Sequence, residues 1–137
     1  MKKNIMSIIV LMMFFFCISL PAITIIGHRG ACGSKPENTL SSFAQAIACH
    51  VDMIEFDVWK CLSGELVVFH DSCVDRLTDG TGLVELKTLD ELKRLTVLGC
   101  EQIPTLTEVI DFINRRATLY IELKGSNTVL DVVALIE

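Results

Sequence analysis

The segment Val51-Asp52-Met53-Ile54-Glu55-Phe56-Asp57-Val58 reads as a buried β-strand, because it is rich in β-branched and aromatic residues. Side chains alternate along a strand. Glu55 and Asp57 therefore share one face, and Ile54, Phe56 and Val58 share the other. Two carboxylates about 7 Å apart on one strand face repel each other, and burying both in ionised form is costly. Either this is a partly solvated strand end with two surface acids, or a hard divalent cation offsets the repulsion, since Mg²⁺ and Ca²⁺ prefer oxygen ligands. The pair alone does not choose between the two.

Upstream, Ile23-Thr24-Ile25-Ile26 reads as a first strand that ends at Gly27-His28-Arg29-Gly30. Ala31 to Pro36 is a loop by its Gly, Ser and Pro content. Asn38 or Thr39 then caps a helix with Leu40, Phe43, Ala44, Ile47 and Ala48 at helical spacing, ending near His50. Strand, helix and strand make a βαβ unit and predict a parallel sheet. Downstream, Trp59 to Glu65 connects to a third strand, Leu66-Val67-Val68-Phe69, closed by His70-Asp71. Residues 72–87 are a polar excursion. Thr88 caps a helix over Leu89–Leu95 with Glu91 as its capping-box partner, and Pro104-Thr105 opens another over Leu106–Arg116. Leu119 to Lys124 is the fourth strand, and an apolar segment follows Gly125-Ser126-Asn127.

In parallel α/β folds the site gathers at the carboxyl ends of the strands. Here the first strand ends in His28-Arg29, the second carries Glu55 and Asp57, the third ends in His70-Asp71, and the fourth carries Glu122 and Lys124. Singly, each has a bland explanation. A lone histidine is more often a structural hydrogen-bonder, and His50, beside a helix end, receives no role. Lys124 alone would be a surface lysine, and Asp71 a turn or supporting acid. Together they make a chemical set. Glu55, Asp57 and Glu122 form a cup for a hard cation that keeps several waters. His28 and His70 suit general acid–base work, because imidazole titrates near neutrality. Arg29 and Lys124 supply positive charge for an anionic group. The combination points to phosphodiester cleavage, with the metal as Lewis acid and template.

Length allows one domain with a real core: the chain has 137 residues, 51% of them hydrophobic. Much of that apolar excess lies at the start, where Lys2 and Lys3 precede an apolar run from Ile5 to Leu20 and then Pro21-Ala22. Residues 1–22 therefore read as a secretory signal peptide, and the protein as exported, periplasmic or secreted. Leu20 fits the minus-three position poorly, which leaves an uncleaved membrane anchor open as the alternative. Losing Lys2 and Lys3 would make the formal charge, −5 for the whole chain, two units more negative. That argues against nucleic acid as a partner, whose binding rests on cationic neutralisation of phosphates. The six cysteines lack C-x-x-C spacing, so they suggest neither a zinc site nor a tidy disulfide framework. Five remain past the leader; an exported chain could pair some of them, and at least one thiol stays free.

At these residues the chain resembles the glycerophosphodiester phosphodiesterases. The matching pieces are His28-Arg29-Gly30, Pro36-Glu37-Asn38-Thr39-Leu40 with Ser42-Phe43, Glu55-x-Asp57-Val58, Val67-Val68-Phe69-His70-Asp71, Asp75-Arg76-Leu77-Thr78 with Gly80-Thr81-Gly82, Ile103-Pro104-Thr105-Leu106, and Glu122-Leu123-Lys124. The resemblance implies a TIM (β/α)8 barrel of the phospholipase-C-like phosphodiesterase type. Its implied activity is hydrolysis of glycerophosphodiesters, such as deacylated phospholipids, to glycerol 3-phosphate and an alcohol. It further implies His28 and His70 as the acid–base pair, Arg29 on the phosphate and Lys124 in the substrate site. Glu55, Asp57 and Glu122 would hold one Ca²⁺ or Mg²⁺, with Glu37 and Asn38 supporting the loop. The implied route uses the substrate's own glycerol hydroxyl as first nucleophile, through a cyclic phosphate that water opens. Residues of about 71–100 would be a small insertion shaping the mouth.

Two departures stand out. The Lys-Asp-Gly turn usual in the family is Leu62-Ser63-Gly64 here. A barrel of this type also needs about 250 residues, so residues 23–137 are expected to form only its N-terminal part, with a strand edge left open. A sphingomyelinase-D-like phospholipase, which shares the barrel and a similar residue plan, is the enzyme alternative. A truncated remnant without catalysis is the non-enzyme one.

Overall fold

The computed structural model describes residues 23–125 and 128–136. The expected leader lies outside the described residues, among which no helix is long and apolar enough to cross a membrane.

The spine is β2 (Met53–Lys60), which runs two residues past the expected end at Val58. On one edge it pairs in parallel with β4 (Thr118–Leu123), from Met53↔Thr118 to Val58↔Leu123. On the other edge lies β1, reduced to Ile26–Gly27 and parallel to Met53–Ile54. Ile25 lies outside the strand, but its carbonyl accepts from the amides of Asp52 and Met53 and its amide donates to Asp52 Oδ2 at 2.8 Å.

Beyond Gly27 that edge of β2 is vacant, and β3 (Leu66–Val68) fills it against Val58–Lys60. This pairing is antiparallel, so the expected parallel sheet holds for β1, β2 and β4 and is corrected for β3. The reason is loop length. Cys61 donates to the carbonyl of Glu65 at 2.9 Å and Gly64, at φ +104°, turns the chain. A parallel crossover needs a dozen residues or more. β3 thus returns along β2 towards the place where β1 stops.

Helix starts follow their caps. Thr39 caps α1 (Leu40–Ala48), Thr88 with Glu91 forms a capping box on α2 (Leu89–Arg94), and Thr105 with Glu108 does the same for α3 (Leu106–Ile113). α3 ends before the expected Arg116 because Asn114 and Arg115 turn left-handed, at φ 43° and 60°. The terminal apolar segment is α4 (Val129–Ile136).

Ile54, Phe56 and Val58, all fully buried, face Phe43 and Ala46 of α1, Leu106, Val109 and Ile113 of α3, and Val132 of α4. Phe43 and Phe56 sit with ring centroids 5.7 Å apart at a tilted angle, a favoured aromatic arrangement. β3 divides this core from a second one. Leu66 and Val68 belong to the first; Val67 and Phe69 face Val74, Leu77, Val84, Leu92, Val97 and Ile103. The excursion beyond His70 therefore has its own apolar centre. It rejoins the sheet at Pro104, whose carbonyl accepts from the Val68 amide at 2.8 Å, while Val67 bridges Thr105.

Candidate active site

With helices covering the apolar face of β2, Glu55 and Asp57 occupy the opposite one. The parallel register sets Asp57 directly across from Glu122. Oxygens of Glu55, Asp57 and Glu122 all lie within 4.8 Å of one another. Glu55 is 7% exposed and Asp57 wholly buried, so they are not two solvated acids at a strand end. Asp57 Oδ2 accepts from Asn38 Nδ2 at 2.9 Å. Its Oδ1 lies 3.1 Å from the ammonium of Lys124 but receives no aligned hydrogen bond. A buried carboxylate oxygen without a donor, in a cluster of only carboxylate ligands, fits a hard divalent cation.

Lys124 also reaches Glu122 Oε1 at 2.5 Å. Burial works against its charge, yet the hydrogen bond to Glu122 and the close charge of Asp57 outweigh it and raise the lysine's pKa. The same Lys124 contact lowers Glu122, with help from the nearby charge of His70.

Why His28-Arg29-Gly30 turns here follows from the packing beneath it. Gly30 has φ +81°, and a Cβ there would stand 2.1 Å from Ser42 Oγ. That hydroxyl donates to the Arg29 carbonyl at 2.7 Å and accepts from the Ala31 amide at 2.8 Å. The Arg29 amide donates to Glu55 Oε2 at 2.9 Å, its Nη1 to Glu37 Oε1 at 2.9 Å, and its Nε stands 3.7 Å from Asp57. Asn38, buried with φ 58°, donates its amide to the Arg29 carbonyl. Glu37 and Asn38 thus hold Arg29 and Asp57 respectively. His28 is open to solvent, with Nε2 3.8 Å from Glu55 Oε2 and Nδ1 3.9 Å from the thiol of Cys32. Its five described cysteines, at 32, 49, 61, 73 and 100, are all free.

His70 arrives by the antiparallel route. The Phe69 amide donates to the Asp57 carbonyl at 3.0 Å, and Trp59 Nε1 donates to the His70 carbonyl at 3.3 Å. His70 Nδ1 lies 2.6 Å from Asp71 Oδ1, which makes Asp71 the supporting acid expected. One residue went without a role in the sequence: Arg76. It grips both oxygens of Asp71, at 2.6 and 3.0 Å, and both of Glu37, at 2.8 and 3.3 Å. The Arg76 hydrogen bond brings Asp71 down to about 2. Glu37 is lowered too, where contacts with Arg76 and Arg29 overcome its partial burial. No spacing signal separates Arg76 from a surface arginine, since Glu37 is 39 residues away.

The profile described as the glycerophosphoryl diester phosphodiesterase family matches residues 28–136. A glycerophosphodiester phosphodiesterase of Caldanaerobacter subterraneus is 42% identical over 109 residues, covering 74% of this chain and 45% of the relative. The crystal structure of a glycerophosphodiester phosphodiesterase from Agrobacterium tumefaciens is 35% identical with a TM-score of 0.80, covering 84% of this chain and 52% of that one. A phosphodiesterase from Oleispira antarctica, solved in complex with the product sn-glycerol-3-phosphate, is 38% identical with a TM-score of 0.73, covering 78% and 47%. The matched structures are TIM barrels, and the described sheet is an arc of one. The chain spans about half the length, or less, of these relatives.

Proposed function

Since the chain belongs to the glycerophosphoryl diester phosphodiesterase family, we propose that it carries the phosphate-handling half of a site that hydrolyses glycerophosphodiesters to glycerol 3-phosphate and an alcohol. The observation that carries this reading is the convergence of Glu55, Asp57 and Glu122 within 4.8 Å, beside a guanidinium, an ammonium and two imidazoles. The product bound in the Oleispira antarctica relative supports the substrate class.

The three acids would hold one divalent cation, Ca²⁺ or Mg²⁺, in a family that depends on such metals. When bound, that ion polarises a phosphoryl oxygen and offsets its charge. Arg29, fastened by Glu37 and by its own amide to Glu55, presents its guanidinium to the phosphate. Lys124 adds a second positive group. Of His28 and His70, one accepts the proton of the attacking hydroxyl and the other returns one to the leaving oxygen. Residues 1–22 we read as a leader that takes the protein out of the cytoplasm, either cleaved or kept as an anchor; mass spectrometry of the mature N-terminus tests this.

The activity test is metal-dependent release of glycerol phosphate from glycerophosphocholine by the full chain, with intact sphingomyelin as the competing substrate. His28→Ala and His70→Ala are each expected to lower turnover by roughly 10²–10⁴-fold. Equal turnover by both variants and wild type would sink the acid–base assignment, and preference for sphingomyelin would sink the substrate class.

A further inference from the structure

We propose that Arg76 is a positioning residue that locks the imidazole of His70 through Asp71 and ties it, through Glu37, to the guanidinium of Arg29. This rests on the reading that His70 moves a proton and Arg29 holds phosphate.

Ionised carboxylates only accept hydrogen bonds, so His70 Nδ1 carries the hydrogen it shares with Asp71 Oδ1 at 2.6 Å. In the neutral ring this leaves Nε2 as the nitrogen with the lone pair, the one that can take a proton. Asp71 serves this end only while its own orientation is set. Arg76 sets it with a fork, Nε to Oδ2 at 2.6 Å and Nη2 to Oδ1 at 3.0 Å. The other side of the same guanidinium takes Glu37, Nη2 to Oε1 at 2.8 Å and Nη1 to Oε2 at 3.3 Å. Glu37 Oε1 in turn accepts from Arg29 Nη1 at 2.9 Å. The result is a continuous relay, His70–Asp71–Arg76–Glu37–Arg29, joining the end of β3 to the turn after β1.

Two carboxylates share this one cation, and without it they would repel each other. Lysine could not replace it, because a single ammonium lacks the planar fork that spans both acids. The Asp71 carboxyl, held down to about 2 by this contact, stays an acceptor throughout the neutral range. The Arg76 side chain is 48% exposed, so its loss opens no core, and its effect on His70 can be read apart from folding.

The experiment is nitrogen-15 NMR of histidine-labelled full chain, alongside steady-state kinetics on glycerophosphocholine. The chain has three histidines, and His28→Gln and His50→Gln assign the His70 signals. In wild type His70 is expected in one tautomer, protonated at Nδ1. In Arg76→Met that signal should move towards a tautomer average, and kcat should fall by roughly tenfold to a hundredfold, the usual cost of losing the partner behind an acting group. Arg76→Lys should recover only part of either. Glu37→Gln, which loosens the Arg29 arm, should act mainly on KM. A folded Arg76→Met or Arg76→Lys with the wild-type His70 signal and unchanged kcat overturns the proposal; a purely structural role would lower Tm alone. If His70→Ala turns over like wild type, the acid–base reading fails, while the NMR comparison still judges the lock.

Discussion

Asp57 is the residue on which the charges converge: wholly buried, held by Asn38, and faced by Lys124 and Arg29. Asp57→Asn keeps its shape and removes its charge. Ca²⁺ or Mg²⁺ should raise the Tm of wild type, by the equivalent of about 2.7 kcal/mol at a hundredfold excess over Kd, and leave Asp57→Asn unmoved; thermal unfolding with each ion checks this. Asp71 offers a second test. Its pKa is depressed from 3.8 to about 2, chiefly by the Arg76 hydrogen bond. Its contribution to stability is therefore complete above the unfolded value, near pH 4, and is lost as pH falls through about 2. Denaturant titrations between pH 5 and pH 2 should show a shallower loss of stability in Arg76→Met than in wild type. Strand parity alone showed that Glu55 and Asp57 share a face. Their meeting with Glu122 depends on the 57↔122 register, a relation between strands 65 residues apart that neither strand states by itself.

Helix starts were legible because capping is local chemistry: Thr39 and Thr88 announce α1 and α2 within three or four residues of sequence. The Glu108 half of the α3 box follows the same spacing from Thr105. Thr105→Ala removes the hydroxyl that receives the Glu108 amide. It should cost about 1 kcal/mol, seen as a lower Tm with the cation response intact. The end of α3 was less legible, because Arg115 is an unusual occupant of a left-handed turn. The direction of β3 was the substantive error. The short Cys61–Glu65 connection already allowed only a hairpin, but the βαβ pattern upstream suggested one direction for every strand. His70 reaches the site all the same, because the vacant edge of β2 leads back to the end of β1.

Over the whole molecule, β3 belongs to two cores at once, Leu66 and Val68 to one and Val67 and Phe69 to the other. The barrel arc and the excursion should therefore unfold together. Phe69→Ala, at roughly 3–5 kcal/mol, should lower hydrogen-exchange protection in β2 as well as in the excursion; two separate transitions would contradict this. The fold class could be read from strand order and rim residues, whereas the second core could not, because its apolar positions are scattered through a polar stretch. The Val68–Pro104 hydrogen bond has an architectural consequence. Both feet of the excursion stand side by side, so the chain leaves and re-enters the arc at one place, and the segment between them is tied to it mainly through Val67 and Phe69. Arg76 rides on that segment, so the grip on Asp71 beside His70 is delivered from outside the barrel strands altogether.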